Sequence, residues 1–349
     1  MESLCWRIKK VIEVSHLTKR YGDHTAVSDL TFTIESGHIY GFLGPNGAGK
    51  STTMNIMTGC LAATEGTVRI NGYDIFDQPD EAKKCIGYLP EIPPVYMDST
   101  PEEYLRFVAE AKGVKKKEIS SQIEDVMAKT GITEMRRRLI RNLSKGYRQR
   151  VGIAQALLGN PEIIILDEPT VGLDPMQIIE IRTLIKSLGK DHTVILSSHI
   201  LSEVQQVCET ILIISNGKLV ACDSADNLEK MFEGTSAVEA EIEGDSEKIR
   251  EALAGIEDTE SVTVTEKENG ICSVQLTTKL RDESPICRKV FFAMCDLRMP
   301  ILSMNTKKAN LEEVFIELTS SNRLERSTET ETESVAVSAG NSEEEAEQE

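Results

Sequence analysis

At 349 residues, 40% hydrophobic and 28% charged, the chain has apolar surface for one large core with a smaller domain or tail, which excludes a wholly disordered chain. Its net charge of -18 argues against nucleic acid as the main partner, because duplex binding depends on neutralising phosphates with Lys and Arg. No window approaches the roughly 18 uninterrupted apolar residues that cross a bilayer and the start MESLCWRIKK lacks a signal-peptide core, so a cytoplasmic chain is expected, serving any membrane through a partner.

Alternating apolar and polar positions predict strands over Val11 to His16 and Leu30 to Ile34, and the apolar run Ile39 to Leu43 predicts another after the Ser36-Gly37 turn. A glycine-rich loop follows at once, then good helix formers from Gly49 that close at Gly59. Further strands are expected at Thr67 to Ile70, ahead of an Asn71-Gly72 turn, and at Cys85 to Leu89. From Ser99 the texture becomes helical. Ser99-Thr100-Pro101-Glu102-Glu103 supplies caps, an early proline and acids, and Tyr104, Leu105, Phe107, Val108 and Ala111 recur at helical spacing. A second helix over Ile119 to Lys129 gives a helical insert of about residues 99–142. Helix Ser144 to Leu158, strand Ile163 to Leu166, helix Pro175 to Leu188 and strand Thr193 to Ser197 then alternate, which predicts a mainly parallel sheet with covering helices. Strands Ile211 to Ile214 and Lys218 to Ala221, joined at Asn216-Gly217, close this α/β unit.

A second unit of α+β type spans residues 237–320. A strand from Ala237, helix Glu247 to Leu253, strands Ser261 to Thr265 and Ile271 to Thr277, helix Ile286 to Leu297 and strand Ile301 to Asn305 follow the ferredoxin-like order, and a helix Leu311 to Leu318 ends it. Residues 324–349 hold nine acidic residues and one arginine with few large apolar side chains, so this tail cannot offset its ordering entropy and is expected to be disordered. The 8 cysteines show no C-x-x-C pair and no nearby histidine spacing, and are read as small buried hydrophobes.

Chemistry concentrates in a few places. Gly44-Pro45-Asn46-Gly47-Ala48-Gly49-Lys50-Ser51-Thr52 contains G-x-x-x-x-G-K-[ST] between a predicted strand and helix. Backbone N–H groups and the helix N-terminus suit phosphates, Lys50 can reach the terminal ones and Ser51 can point a hydroxyl at Mg2+, so ATP and Mg2+ are the expected ligands. The buried strand Ile163 to Leu166 ends in Asp167, able to hold Mg2+, and Glu168, able to polarise an attacking water. A P-loop alone leaves the job open, because many nucleotide-driven classes use one.

Leu143-Ser144-Lys145-Gly146-Tyr147-Arg148-Gln149-Arg150, opening a helix just upstream of the acidic strand, resembles the signature of the ATP-binding subunits of ABC transporters. The resemblance implies that Ser144, Lys145 and Gly146 contact the γ-phosphate held by an opposite subunit, and hence a dimer with two shared sites. Tyr21, after Lys19-Arg20, matches the family's adenine-stacking aromatic; Gly172-Leu173-Asp174 matches its dimer loop; His199 matches its γ-phosphate-sensing histidine. The resemblance covers about Val11 to Ser224. It implies an ABC-type domain over residues 11–232, with residues 99–142 as its helical subdomain.

Three positions depart from the family pattern. Lys145 stands where glycine is usual, Tyr147 where glutamine is usual, and Glu91 where the coupling glutamine sits; a carboxylate there can still serve Mg2+ as an oxygen ligand. These, with the closing Leu311-Glu312-Glu313-Val314-Phe315, look like the multidrug, sodium and gliding-motility-type exporter ATPases. The resemblance implies an ATPase that pairs with a second copy of itself or a homologous ATPase and drives a separate membrane-embedded permease. Soluble relatives acting in translation or DNA repair would show paired cassettes or a long coiled coil, and neither is present.

Overall fold

A computed structural model describes residues 9–232, 236–267, 270–278 and 284–307. Contacts divide the chain into two compact units that part between Ser224 and Ala225. The first contains strands β1 (Lys10–Tyr21), β2 (His24–Glu35), β3 (Ile39–Leu43), β4 (Glu65–Ile70), β5 (Tyr73–Asp74), β6 (Ile86–Leu89), β7 (Ile163–Leu166), β8 (Thr193–Ser198), β9 (Thr210–Ser215) and β10 (Lys218–Asp223). Its helices are α1 (Lys50–Met57), α2 (Pro79–Lys84), α3 (Pro101–Ala111), α4 (Lys116–Thr130), α5 (Lys145–Leu157), α6 (Pro175–Leu188) and α7 (Leu201–Val207).

These strands form the expected mainly parallel sheet and, beside it, a separate antiparallel one. One is antiparallel, in the order β2-β1-β4-β5; the other has six strands in the order β10-β9-β3-β8-β7-β6. In the second, β9, β3, β8, β7 and β6 run parallel and β10 returns antiparallel along the edge. Covered on both faces, β3 and β7 are buried at every residue, which is why they read as unbroken apolar runs. Helix α1 sits between the two sheets: Met54, Ile56 and Met57 share one apolar core with Ile12, Val14 and Ile34 of the first sheet and Ile165, Ile195 and Leu212 of the second. Phe32 and Phe42 join the sheets edge to face, with centroids 5.3 Å apart.

The first two strands outrun their expected lengths for one reason. His16 (φ 51) and Asp29 (φ 52) adopt left-handed backbone at register shifts, so alternation breaks where the pairing continues. Their side chains meet across the ladder, His16 Nδ1 to Asp29 Oδ1 at 2.7 Å. Helix α3 begins as expected: Thr100 and Glu103 form a reciprocal capping box and Pro101 fills the first turn. Lys112, at the end of α3, donates to the carbonyls of Gln155, Ala156 and Leu158 at 2.9, 3.1 and 2.9 Å, gathering the unpaired carbonyl end of α5. Desolvation of the ammonium among these carbonyls pulls its pKa down to about 8, while the residue as a whole stays exposed.

The second unit comprises α8 (Ala225–Phe232), β11 (Ser236–Glu243), α9 (Ser246–Ala254), β12 (Thr259–Glu266), β13 (Ile271–Thr278), α10 (Ser284–Asp296) and β14 (Ile301–Lys307). Its antiparallel sheet has the order β12-β13-β11-β14, that of a ferredoxin-like sandwich. Val238, Ala240 and Ile242 of β11 alternate inward against Ile249 and Leu253 of α9 and Ile286, Val290 and Met294 of α10. The expected helix Leu311 to Leu318 and the acidic tail lie outside the described residues. The cysteine expectation needs correction: Cys208 and Cys272 are buried, but Cys60, Cys222 and Cys295 are exposed. Cys60 follows the end of α1, Cys222 lies on the edge strand β10 and Cys295 occupies the last turn of α10, all positions with an outward face.

Candidate functional site

The P-loop leaves β3 at its buried carboxyl end and enters α1, so the core that holds α1 between two sheets also fixes the loop. Gly49 caps α1 at φ 102, and a Cβ there would lie 2.6 Å from the Ala26 carbonyl oxygen, which only glycine tolerates. No side chain caps α1, which leaves its first N–H groups to the cleft. That cleft, of about 590 Å³, is lined by residues 46–52 together with Tyr21, Glu91, Glu168 and His199. Its volume lies in the range that takes a nucleotide-sized ligand.

Lys50 is almost fully buried. Its ammonium donates to Gly44 O at 2.8 Å and Pro45 O at 3.2 Å and stands 3.5 Å from Glu168 Oε1. Burial pulls its pKa below the ordinary lysine value, against the opposing field of the Glu168 carboxylate. Two buried carboxylates face this cation from the end of β7, and each is partnered. Asp167 Oδ1 accepts from Ser51 Oγ at 3.2 Å and from Ser197 Oγ at 2.5 Å. Ser197 Oγ also accepts from the Glu168 N–H at 2.8 Å, so one hydroxyl on β8 clips both acids. Glu168 adopts φ 46, a left-handed conformation that costs about 1–3 kcal/mol and turns its side chain back into the cleft, where Oε2 meets His199 Nδ1 at 3.0 Å.

The parallel pairing of β3, β8 and β7 brings these groups together. Leu43 pairs with Ser198 and Leu166 with Leu196, so the loops bearing Lys50, His199 and Glu168 leave the same end of the sheet. Tyr21, 48% exposed at the tip of β1, carries Lys19 Nζ 5.1 Å from its ring centroid and pairs across the hairpin with His24. His24, Ala26 and Val171 also line the cleft, and no motif marks them. Ser197 was equally unmarked; the lateral neighbour of an acidic strand end is known only once strand order is known.

The remaining candidates lie elsewhere in this chain. Ser144 caps α5, accepting from the Tyr147 N–H at 3.3 Å, and Asp174 caps α6, accepting from the Gln177 N–H at 2.9 Å. The two helix starts touch: Gly146 leaves room for the Gln177 side chain, which a Cβ would crowd at 2.6 Å, and Lys145 Nζ lies against Gly172. None of Ser144, Lys145, Gly146 or Asp174 lines the cleft.

Ser51 and Asp167 present hard oxygen donors side by side, and Glu91 adds a third at the rim, a donor set whose chemistry fits Mg2+.

The family model for ABC transporter matches residues 27–171. The chain is 41% identical over 222 residues to the bacitracin transport ATP-binding protein BcrA of Bacillus licheniformis, covering 63% of this chain and 72% of that one. It is 30% identical over 310 residues to the linearmycin resistance ATP-binding protein LnrL of Bacillus subtilis (strain 168), covering 88% and 98%. Among solved structures, an ATP binding subunit of an ABC transporter aligns with TM-score 0.58 at 31% identity, over 64% of this chain and 93% of that one. A dimeric bacterial ABC transporter cassette, MJ0796, aligns with TM-score 0.56 at 27% identity, over 61% and 98%. A P-loop whose lysine faces a buried acidic pair, on a fold shared with these proteins, identifies the chain as a member of the ABC transporter ATP-binding family and an ATP-hydrolysing subunit.

Proposed function

We propose that this chain pairs with a second copy of itself, or with a homologous ATPase, around two ATP and drives a separate membrane permease as an exporter. The observation that carries the site assignment is the placement of Glu168 between Lys50 and His199, beside the Asp167 and Ser51 pair. In this reading Tyr21 stacks on adenine, residues 44–52 wrap the phosphates and Lys50 neutralises the γ-phosphate. Glu168 takes up the proton of the attacking water, and His199 holds Glu168 and senses the γ-phosphate. Ser51, Asp167 and Glu91 would hold Mg2+, which would supply charge neutralisation on the phosphates.

Pairing is supported by the distance of the signature from the chain's own cleft. Ser144, Lys145 and Gly146 open α5 outside the chain's own cleft, where they can meet a partner's phosphate, and the dimer-loop residue Asp174 opens the adjacent α6. Met176, Ile179 and Ile200, next to Asp174 and His199 in the chain, are exposed apolar side chains suited to burial on association. Tyr96 and Phe107, the latter on α3, are exposed with ring centroids 5.4 Å apart, Ile92 and Met97 are exposed nearby in the chain, and we assign this surface to the permease. No described helix is long and apolar enough to cross a membrane, which fits a subunit held at the inner face by that permease. Export rather than import is favoured by relatives named for bacitracin transport and linearmycin resistance.

Two measurements test this reading. With Mg2+ chelated, ATP is expected to double the solution mass of the wild-type chain without hydrolysis, while Ser144→Arg stays at its monomer mass and still binds ATP; ATP-driven doubling in that variant would remove the signature assignment. Chelation is also expected to lower turnover by at least about 100-fold with ATP binding retained, and Mg2+ to restore it. Undiminished phosphate release in a metal-free sample would end the assignment of Ser51 and Asp167.

A further inference from the structure

We propose that Glu203 is a positioning residue for the Glu168 and His199 pair, a role that rests on the reading of those two residues given above. Glu203 lies on α7, is buried, and sends one carboxylate oxygen to two different loops. Its Oε2 accepts a hydrogen bond from Thr170 Oγ1 at 2.5 Å and another from Ser198 Oγ at 3.3 Å. Thr170 follows Glu168 by two positions in the loop leaving β7, and Ser198 immediately precedes His199 at the end of β8. Ser198 Oγ accepts in turn from the Ile200 N–H at 3.0 Å, so the same hydroxyl grips the chain on the far side of His199.

One oxygen atom therefore fastens together the two loops whose tips meet in the 3.0 Å contact between Glu168 and His199. The other oxygen, Oε1, faces Arg182 Nη2 at 3.6 Å, and Arg182 Nη1 donates to Gln206 Oε1 at 2.6 Å, which ties the assembly to α6. Thr170 and Ser198 are buried as well, so water does not compete for these bonds. An apolar side chain of similar volume would pack α7 against the sheet without the desolvation penalty of a buried carboxylate. What it could not do is accept directional bonds from both loops. Glu168 already holds an unfavourable φ, and such a conformation persists only where its surroundings over-determine it.

The test uses the full chain. Glu203→Ala removes the acceptor, Glu203→Gln keeps an accepting oxygen for Thr170, and Thr170→Val removes one donor while leaving Glu203 with Arg182. Glu203→Ala and Thr170→Val are expected to lower kcat by about 10- to 100-fold, the scale of a 1 Å misplacement at a reacting centre. The KM for ATP should stay within about twofold, since the nucleotide contacts are untouched. Glu203→Gln should recover most of the loss, and the double variant Thr170→Val with Glu203→Ala should be no worse than the weaker single one, because both break the same link. Wild-type kcat in a folded Glu203→Ala or Thr170→Val chain overturns the proposal, as do additive losses in the double variant or equal losses in Glu203→Gln and Glu203→Ala. Should Glu203→Ala fail to fold, Thr170→Val and Glu203→Gln decide the matter by the same criterion. A Glu168→Gln control separates the two levels: if it is inactive while Thr170→Val is fully active, only the role of Glu203 falls, and if it is fully active, both readings fall.

Discussion

Glu168→Gln is expected to reduce ATP turnover by about 100- to 10,000-fold, the range over which a positioned acid or base contributes to rate, while leaving ATP affinity intact. The substitution preserves size, and its carbonyl oxygen can still face His199, so the loop after β7 keeps its place. What disappears is a carboxylate able to take a proton, along with the charge opposite Lys50 at 3.5 Å. Release from that pairing leaves the lysine wholly available to phosphate, so ATP should bind at least as tightly as to wild type. An ATP-bound pair that cannot hydrolyse should then accumulate. Phosphate release, equilibrium ATP binding and solution mass on the same sample check all three consequences. Turnover near wild type would remove Glu168 from its assigned role, whatever the other two measurements gave.

Lys50→Met should fail in the opposite manner, by losing the ligand. A charge-assisted hydrogen bond to phosphate contributes about 1.5–3 kcal/mol, so ATP affinity should fall by about 10- to 100-fold and turnover with it. Methionine fills the space of the lysine stem, yet it leaves the carbonyls of Gly44 and Pro45 without their donor and Glu168 without its nearest cation. A lower melting temperature should accompany the loss of binding, because removing one member of a buried ion pair strands the other. Titration with ATP and a thermal melt, both without Mg2+, isolate these effects from catalysis. The two substitutions thus diverge on one observable: affinity is kept in Glu168→Gln and lost in Lys50→Met. Equal affinity in both would mean that Lys50 does not touch phosphate.

The sequence disclosed most where chemistry and burial coincide. Strand Ile163–Leu166 and helix Pro175–Leu188 are found at their expected bounds, the first because a strand covered on both faces is apolar throughout, the second because Asp174 and Pro175 mark its start. The order of P-loop, signature-like helix and acidic strand was legible for the same reason: each motif is local. Short elements escaped. Helix α2 has six residues and little apolar periodicity, and α7 begins after Ile200 with no capping side chain. The antiparallel sheet escaped because strand partners are nonlocal, and its bulges at His16 and Asp29 hide half of each strand from a period-two pattern. Ser197, Thr170 and Glu203 escaped because their importance depends on β7 lying beside β8, which no local pattern records.

The grip of Lys112 on α5 has a mechanical consequence. Helix α5 spans 13 residues, about 20 Å, with Ser144 at one end and, at the other, three carbonyls bolted to the last turn of α3. A rod clamped in this way does not bend at the clamp. The carbonyl end of α5 is therefore expected to stay with α3 instead of fraying from it, since three of its carbonyls share one ammonium.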